Sequence, residues 1–280
     1  MDIIFTKMHG LGNDFVVIDT LTQDVSLDEN FVRDISNRHT GIGCDQILLV
    51  GPADEPHVDF SYRIFNADGT EVAQCGNGAR CVAAFVRDKG FTDKTTITLK
   101  TKERLLTATL QAPSLVTVDM GQPLFDPEKI PFLTNTPALS YTLTIPGINQ
   151  PLSMVILSMG NPHAVITIAD IQQAPVEIWG KLLQQQAVFP ESVNVGFMQI
   201  QDSINLKLRV YERGVGETSA CGSGACAAAI AAIMQGLTES PVKVTLPGGS
   251  LTITWQGNGH SVRMTGPAIK VFSGVFSREN

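Results

Sequence analysis

The sequence predicts an α+β fold of two similar domains, each a curved β-sheet wrapped around one central helix. Three observations carry this expectation. A block ending in Cys75-Gly76-Asn77-Gly78-Ala79 recurs as Cys221-Gly222-Ser223-Gly224-Ala225, at an offset of 146 positions and without a gap. Each block follows a series of short strand-like runs and opens an apolar helical stretch. The second stretch, Gly224 to Gln235, has no charged residue, and a helix apolar on every side has to be surrounded by other structure.

The repeat extends beyond the cysteine blocks. Arg63 matches Arg209, and Glu71 matches Glu217. At an offset of 148, Gly12-Asn13 precedes the apolar run Phe15 to Ile18, as Gly160-Asn161 precedes Ala164 to Ile168. Gln46 stands before Ile47 to Val50 as Asn194 stands before Val195 to Ile200. Two copies are too few for a solenoid, so the reading is a pair of domains facing each other across a cleft, a common place for small-ligand sites. Gly-Gln-Pro and Asp-Pro within Gly121 to Pro127 mark the boundary. The domains are then 1–122 and 123–266, with 267–280 returning to the first.

In the first half, strands are expected over Ile3–Met8, Phe15–Asp19, Ile47–Val50, Asp59–Phe65, Ile97–Lys100, Leu105–Leu110 and Leu115–Asp119. Ser26 and Glu29 have capping-box spacing, which predicts a helix over Leu27 to Arg38. Gly76 to Lys89 is the second helix. In the second half, helices are expected over Val176 to Gln185 and Gly222 to Gln235. Strands are expected over Leu206–Tyr211, Val242–Leu246, Leu251–Trp255 and Ser261–Met264.

The chain has 280 residues, of which 43% are hydrophobic and 17% charged, and a net charge of −7. This suits a globular enzyme with a real core. No Lys/Arg-rich run is present, so nucleic acid is not the expected partner. The N-terminal segment lacks the apolar stretch of a signal peptide, and the longest apolar helical run, Ala225 to Met234, is too short to span a bilayer. A cytoplasmic protein is expected. The five cysteines are odd in number and none are spaced as C-x-x-C, which argues against a disulfide framework and a zinc site.

Cys75 and Cys221 each stand just before Gly-x-Gly and a helix, which puts the sulfur beside the free N–H groups of a helix N-terminus. That position favours the thiolate and predicts a pKa below the free value of about 8.5. The same N–H groups can hold a carboxylate, and the glycines permit close approach. Two such helix ends at one ligand would place a sulfur on each face of the carbon beside that carboxylate. One thiolate removes the α-proton and the opposite thiol delivers another, which inverts the stereocentre. Gly76-x-Gly78 and Gly222-x-Gly224 lack the third glycine of a dinucleotide fingerprint, and no motif for another cofactor is present. A single Cys-Gly-x-Gly would more often be a buried core cysteine; duplication at equivalent positions tips the balance toward chemistry. Cys81 and Cys226, inside the helices, keep the core reading.

Several longer motifs now become recognisable. Asn66-x-Asp68-Gly69-Thr70, followed by Cys75-Gly76-Asn77-Gly78-x-Arg80, resembles the signature of the diaminopimelate epimerase family. So do Met8-His9-Gly10-x-Gly12-Asn13-Asp14-Phe15, Gly41-Ile-Gly43-x-Asp45-Gln46, Gly160-Asn161-Pro162-His163, Asn194-Val195, Glu212-Arg213-Gly214 and Glu217-Thr218-x-Ala220-Cys221-Gly222-Ser223-Gly224. The resemblance runs from residue 5 to about 275. It implies a pair of pseudo-symmetric domains, each a β-barrel-like roll around a central helix. It also implies a cofactor-independent enzyme that interconverts LL- and meso-2,6-diaminopimelate for lysine and peptidoglycan-precursor synthesis, as a homodimer without a metal.

By that likeness Cys75 and Cys221 are the acid–base pair, assisted by His163 and Glu212. Gly76, Asn77, Gly222 and Ser223 hold the reacting carboxylate. Asn13, Gln46, Asn66, Asn161, Asn194, Glu212 and Arg213 surround the substrate. Arg213 suits a distal carboxylate and Glu212 an ammonium. Glu212 occupies the repeat slot of Asn66, nine residues before the cysteine, which is the asymmetry an asymmetric substrate needs. A two-cysteine racemase of proline or hydroxyproline is the near rival, although its ring substrate would leave such a polar pocket unused. A non-catalytic thiol redox or metal-binding protein is the rival of another class, and stoichiometric metal after purification would reveal it.

Overall fold

The computed structural model describes residues 2–72, 75–134 and 136–277. The chain divides into two compact units, Met1–Asp119 with Thr265–Asn280, and Met120–Met264. The described part of the first unit's second segment ends at residue 277.

In the first unit, β1 (Asp2–Gly10) pairs antiparallel with β2 (Asn13–Asp19). After α1 (Glu29–Ser36), β3 (Gln46–Pro52) lies parallel to β2, with Gln46 opposite Phe15. Next, β4 (Phe60–Asn66) pairs antiparallel with β3, and the two-residue β5 (Glu71–Val72) pairs with β4. Then α2 (Gly76–Asp88) crosses the unit. The strands β6 (Thr96–Lys100), β7 (Leu105–Ala112) and β8 (Leu115–Asp119) follow as an antiparallel meander, with β6 parallel to β4.

The second unit repeats this plan behind a three-residue strand, β9 (Tyr141–Leu143). An antiparallel pair, β10 (Leu152–Ser158) and β11 (Pro162–Thr167), comes first. After α3 (Val176–Gln184), β12 (Asn194–Asp202) lies parallel to β11, with Asn194 opposite His163. A hairpin of β13 (Asn205–Glu212) and β14 (Gly216–Thr218) leads to α4 (Gly222–Met234). The hairpin β15 (Val242–Leu246) and β16 (Gly249–Thr254) follows, with β15 parallel to β13. Finally β17 (Arg263–Pro267) brings the chain back to the first unit, where β18 (Ile269–Ser277) pairs antiparallel with β1. The fold is α+β with two repeated halves.

Each half is organised around its inner helix. In the first, α2 packs against β1, β2, β3, β7 and β8, and in the second α4 packs against strands from β10 to β16. Residues Gly224 to Ala232 of α4 are all buried. Six of them are alanine, the best helix former and the smallest side chain that keeps helix propensity, so strands can close in on every side. Both helices stop the same way. Gly90 (φ 72°) and Gly236 (φ 69°) adopt the left-handed conformation, and the next amides, Phe91 and Leu237, reach back to the Val86 and Ala232 carbonyls.

The repeated Arg–Glu pairs have a structural counterpart. Arg63 holds Glu71 with two hydrogen bonds of 3.0 and 2.8 Å across β4 and β5, and Arg209 holds Glu217 at 2.6 and 2.8 Å across β13 and β14. Partly exposed pairs of this kind contribute under about 1 kcal/mol, whereas burying one Ile or Leu contributes about 1.5–3 kcal/mol. Burial therefore holds the inner helices, and the ion pairs fix the hairpins that deliver the chain to each cysteine.

Two expectations need correction. The first helix begins at Glu29 with Asp28 as its cap, not Ser26, because the Asp28 carboxylate accepts the Phe31 amide at 2.8 Å, two residues later than the capping box placed it. The strands β9 and β10 had not been anticipated. The run Leu152-Ser-Met-Val-Ile-Leu-Ser is almost uniformly buried, and an apolar run without alternation carries no strand signature of its own.

One polar knot ties the first unit together beside β1. The buried Lys7 donates to Asp14 at 2.6 Å and to the Gly43 carbonyl, and Arg38 adds two bonds to Asp14 at 2.9 and 2.8 Å. Burial pushes the Asp14 carboxyl up, but the bonds from Arg38 and Lys7 outweigh it and hold the group well below the ordinary carboxylate range. Such a group adds stability that is complete above its unfolded value of about 3.9 and is lost as pH falls through the folded value. Asp14→Asn is expected to lower stability by about 1–3 kcal/mol at neutral pH. Urea unfolding should show the gap between variant and parent narrowing below about pH 4. A gap independent of pH would show that the charge of Asp14 is not what stabilises.

Candidate active site

In each unit the inner helix begins with a cysteine. Cys75 caps α2 in an extended conformation, and its sulfur accepts the Gly78 amide at 3.3 Å. Cys221 caps α4, also extended. The third residue of each helix has no room for a side chain. A Cβ on Gly224 would stand 3.0 Å from Val210 Cγ2 and 3.2 Å from the Cys221 sulfur, and one on Gly78 would meet Leu48 at 3.1 Å. The glycine thus lets the sulfur lie against the exposed amides of the first turn.

Around Cys75, Asn13 at the start of β2 presents Oδ1 to the sulfur at 3.7 Å and accepts from Asn77 Nδ2 at 3.3 Å. Gln46 and Asn66, paired across β3 and β4, form a second group in which Gln46 Nε2 donates to Asn66 Oδ1 at 2.9 Å. Asn66 in turn donates to Thr70 at 3.1 Å. Gln46 Oε1 is buried and has no hydrogen-bond partner among the described residues. A donor from a ligand would satisfy it.

Around Cys221 the chemistry differs. Its thiol donates to Glu212 Oε2 at 3.0 Å and lies 3.7 Å from Ser223 Oγ, while Thr218 Oγ1 donates to Glu212 Oε1. Asn161 donates to Ser223 at 3.4 Å, and His163 Nε2 lies 3.1 Å from Asn161 Oδ1. Asn194 donates to the Pro162 carbonyl at 3.0 Å and accepts the Arg213 amide at 2.9 Å. The Arg213 guanidinium is exposed and donates to the Glu191 carbonyl at 2.9 Å, with further N–H groups free to meet a ligand.

Two sequence expectations change here. The Cys221 thiol was expected below its free value, but it is pushed well above it. Burial is the largest cause, and the charge and hydrogen bond of Glu212 add to it, while the Gly224 amide and Ser223 oppose. The helix end does favour thiolate, but burial of the sulfur, with the Glu212 carboxylate adding to it, outweighs the Gly224 amide and Ser223. His163 was expected to assist catalysis. Burial holds its pKa down to about 3, and its ring touches Asn161 rather than a cysteine, so it stands neutral beside Asn161. Cys81 and Cys226 are fully buried within the helices, and burial pushes the Cys81 thiol up to about 12. Thr218 and Asp45, which touch Glu212 and Asn13, had been quoted within motifs but given no role. Nothing in residue type alone marks them, because their roles depend on strand register.

The fold places the chain in a known class of doubled α+β folds. It matches a hydroxyproline epimerase from Agrobacterium vitis with a TM-score of 0.70 at 15% identity, covering 98% of this chain and 91% of that one. It matches a phenazine biosynthesis protein of the PhzF family from Bacillus anthracis with a TM-score of 0.70 at 14% identity, covering 99% and 100%. At such identities the likeness shows the fold alone.

Sequence carries the assignment further. The family model described as diaminopimelate epimerase matches residues 5–125 and 155–271. The diaminopimelate epimerase of Aromatoleum aromaticum is 50% identical over 274 residues, covering 98% of each chain. That of Azotobacter vinelandii is 52% identical over 270 residues, covering 96% of this chain and 97% of its own. The chain belongs to the diaminopimelate epimerase family and is an isomerase. Among the described residues, no helix is long and apolar enough to cross a membrane.

Because Glu212 repels the Cys221 thiolate and accepts a hydrogen bond from the thiol, Glu212→Gln is expected to lower the pKa of that thiol while burial keeps it above the free value. Alkylation of Cys221 against pH, followed by peptide mapping, reads this directly. An unchanged midpoint would remove Glu212 as a cause.

Proposed function

We propose that this protein interconverts LL- and meso-2,6-diaminopimelate by a two-base transfer of the α-proton between Cys75 and Cys221, without a cofactor. The observation that carries this reading is the pair of cysteine-capped inner helices, repeated in the two halves with different surroundings. The family relationship supports the substrate.

In this reading the amides of the first turns, at Gly76-Asn77 and Gly222-Ser223, receive the carboxylate beside the reacting carbon. Cys221 is poised as the acid: its proton sits on sulfur and is held toward Glu212. Cys75, with its sulfur on the Gly78 amide, is the base that takes the α-proton from the opposite face. The roles exchange in the reverse direction. Asn161, held by His163, and Ser223 line the Cys221 side. Asn13, Gln46, Asn66, Asn194, Glu212 and Arg213 receive the rest of the substrate. Asn, Gln and Glu suit its distal ammonium, and the exposed Arg213 suits its distal carboxylate. A proline-like ring has no such distal groups, and nothing would then use Arg213 or the unmatched Gln46 oxygen.

The reading extends to a role in lysine and peptidoglycan-precursor synthesis, to a cytoplasmic location and to a homodimer, all on family likeness. Proton NMR of the reduced protein with LL-diaminopimelate in D₂O tests the reaction. Meso product carrying deuterium at the inverted α-carbon is expected, and Cys75→Ala or Cys221→Ala should abolish it. Active turnover of proline with none of diaminopimelate would overturn the substrate. Because His163 is held neutral, the pH profile of kcat/KM should show no limb from this residue near the ordinary histidine value of about 6.5. A limb that disappears in His163→Gln would contradict the positioning role.

A further inference from the structure

The strand registers make Asn13 and Asn161 equivalent, since each precedes by two positions a residue paired in parallel with the start of the next strand: Phe15 with Gln46, and His163 with Asn194. The two asparagines are nevertheless held by opposite ends of their amides. Asn161 meets His163 through Oδ1 and turns its nitrogen toward Ser223. Asn13 gives its nitrogen to Asp45 Oδ2 at 3.4 Å and turns its oxygen toward Cys75 and Asn77. An ionised carboxylate only accepts, so the Asp45 side of Asn13 has to be the NH₂.

Asp45 is itself held on three sides. Arg38 donates to its Oδ1 at 2.8 Å, the Asp14 amide donates to its Oδ2 at 3.2 Å, and its own amide donates to Asp14 Oδ1 at 2.8 Å. Lys7 and Arg38 anchor Asp14 in turn. In the second half the corresponding slots hold Val155 for Lys7, Pro162 for Asp14 and Val193 for Asp45, all buried and without charge. Pro162 also lacks the amide that Asp14 uses. The charged knot is therefore confined to the Cys75 half, and its one member directed at an active-site side chain is Asp45.

Resting on the two-cysteine reading above, we propose that Asp45 is a positioning residue that fixes the Asn13 amide with its oxygen toward Cys75, presenting an acceptor to the Cys75 thiol. A side-chain oxygen acceptor then lies against each sulfur, Asn13 Oδ1 in one half and Glu212 Oε2 in the other. The acceptor favours the protonated form, which Cys75 needs whenever it returns a proton to the substrate carbon. The same role is filled by a neutral amide on one side and a carboxylate on the other. Tyr62 on β4 and Cys81 in α2 also lie near Cys75, but burial pushes both up and they stay neutral.

The test reads Cys75 without turnover, so it stands apart from the diaminopimelate assay. In full-length Cys221→Ala protein, alkylation of Cys75 is followed against pH by peptide mapping, with Asp45→Ala, Asn13→Ala and the double variant. Removing Asp45 frees Asn13 to turn its NH₂ toward the sulfur, and alkylation near neutral pH should quicken about two- to fivefold. Asp45→Asn, which keeps the side chain's shape but can offer a donor to Asn13, should move the same way, and Asp45→Glu should restore the parent rate. In the Asn13→Ala background the Asp45 substitution should have little further effect. An equal acceleration in both backgrounds would mean that Asp45 acts through its charge alone, and no acceleration with either Ala or Asn would mean that it does not orient Asn13; either result overturns the proposal.

Discussion

A helix buried on every side leaves its first N–H groups with nowhere to turn. Those of α2 and α4 cannot be hydrated along the helix flank, because strands surround it, and a backbone donor deprived of any acceptor costs on the order of a hydrogen bond each. The chain meets this with a cysteine at the cap and glycine at the third position. The sulfur is a weak acceptor, and the first turn stays open to something better. A carboxylate is that better acceptor, and it brings the carbon beside it within reach of the sulfur. In the proposed reaction the reactive position and the binding position are thus consequences of one constraint, the burial of the inner helix.

The two halves keep this device and differ in what surrounds it. The Arg–Glu pairs Arg63–Glu71 and Arg209–Glu217, the Gly90 and Gly236 stops and the asparagine that reaches the residue after Cys-Gly are common to both. Where the first half has Asn66, the second has Glu212, and where the first has Phe15, the second has His163. Each exchange changes charge or hydrogen-bonding sense without changing the backbone. Repetition supplies two equivalent sulfurs, and substitution within equivalent slots gives them different partners.

At Cys221 burial of the sulfur is the largest influence and the Glu212 charge the next. A helix N-terminus alone draws a thiol toward its anion, typically by a modest amount. Beside Cys221 a carboxylate 3.0 Å away, in a buried setting, acts in the opposite sense and prevails. Position at a helix end therefore does not fix a cysteine's ionisation; the nearest charge and its burial do.

The sequence by itself determined the doubling, the inner helices and the residue types at their caps. Those rest on local signals: a recurring Cys-Gly-x-Gly-Ala and a charge-free helical run. It also marked Asn13, Asn161, Glu212 and Arg213 as polar residues in repeat-related places. What only the tertiary structure decided was contact and its sign. Strand register put Glu212 on the Cys221 thiol, Thr218 on Glu212 and Asp45 on Asn13, from positions 6 to 32 residues apart. Burial keeps His163 neutral beside Asn161. Hydrogen-bond partners and desolvation arise from residues distant along the chain, and no local pattern encodes them.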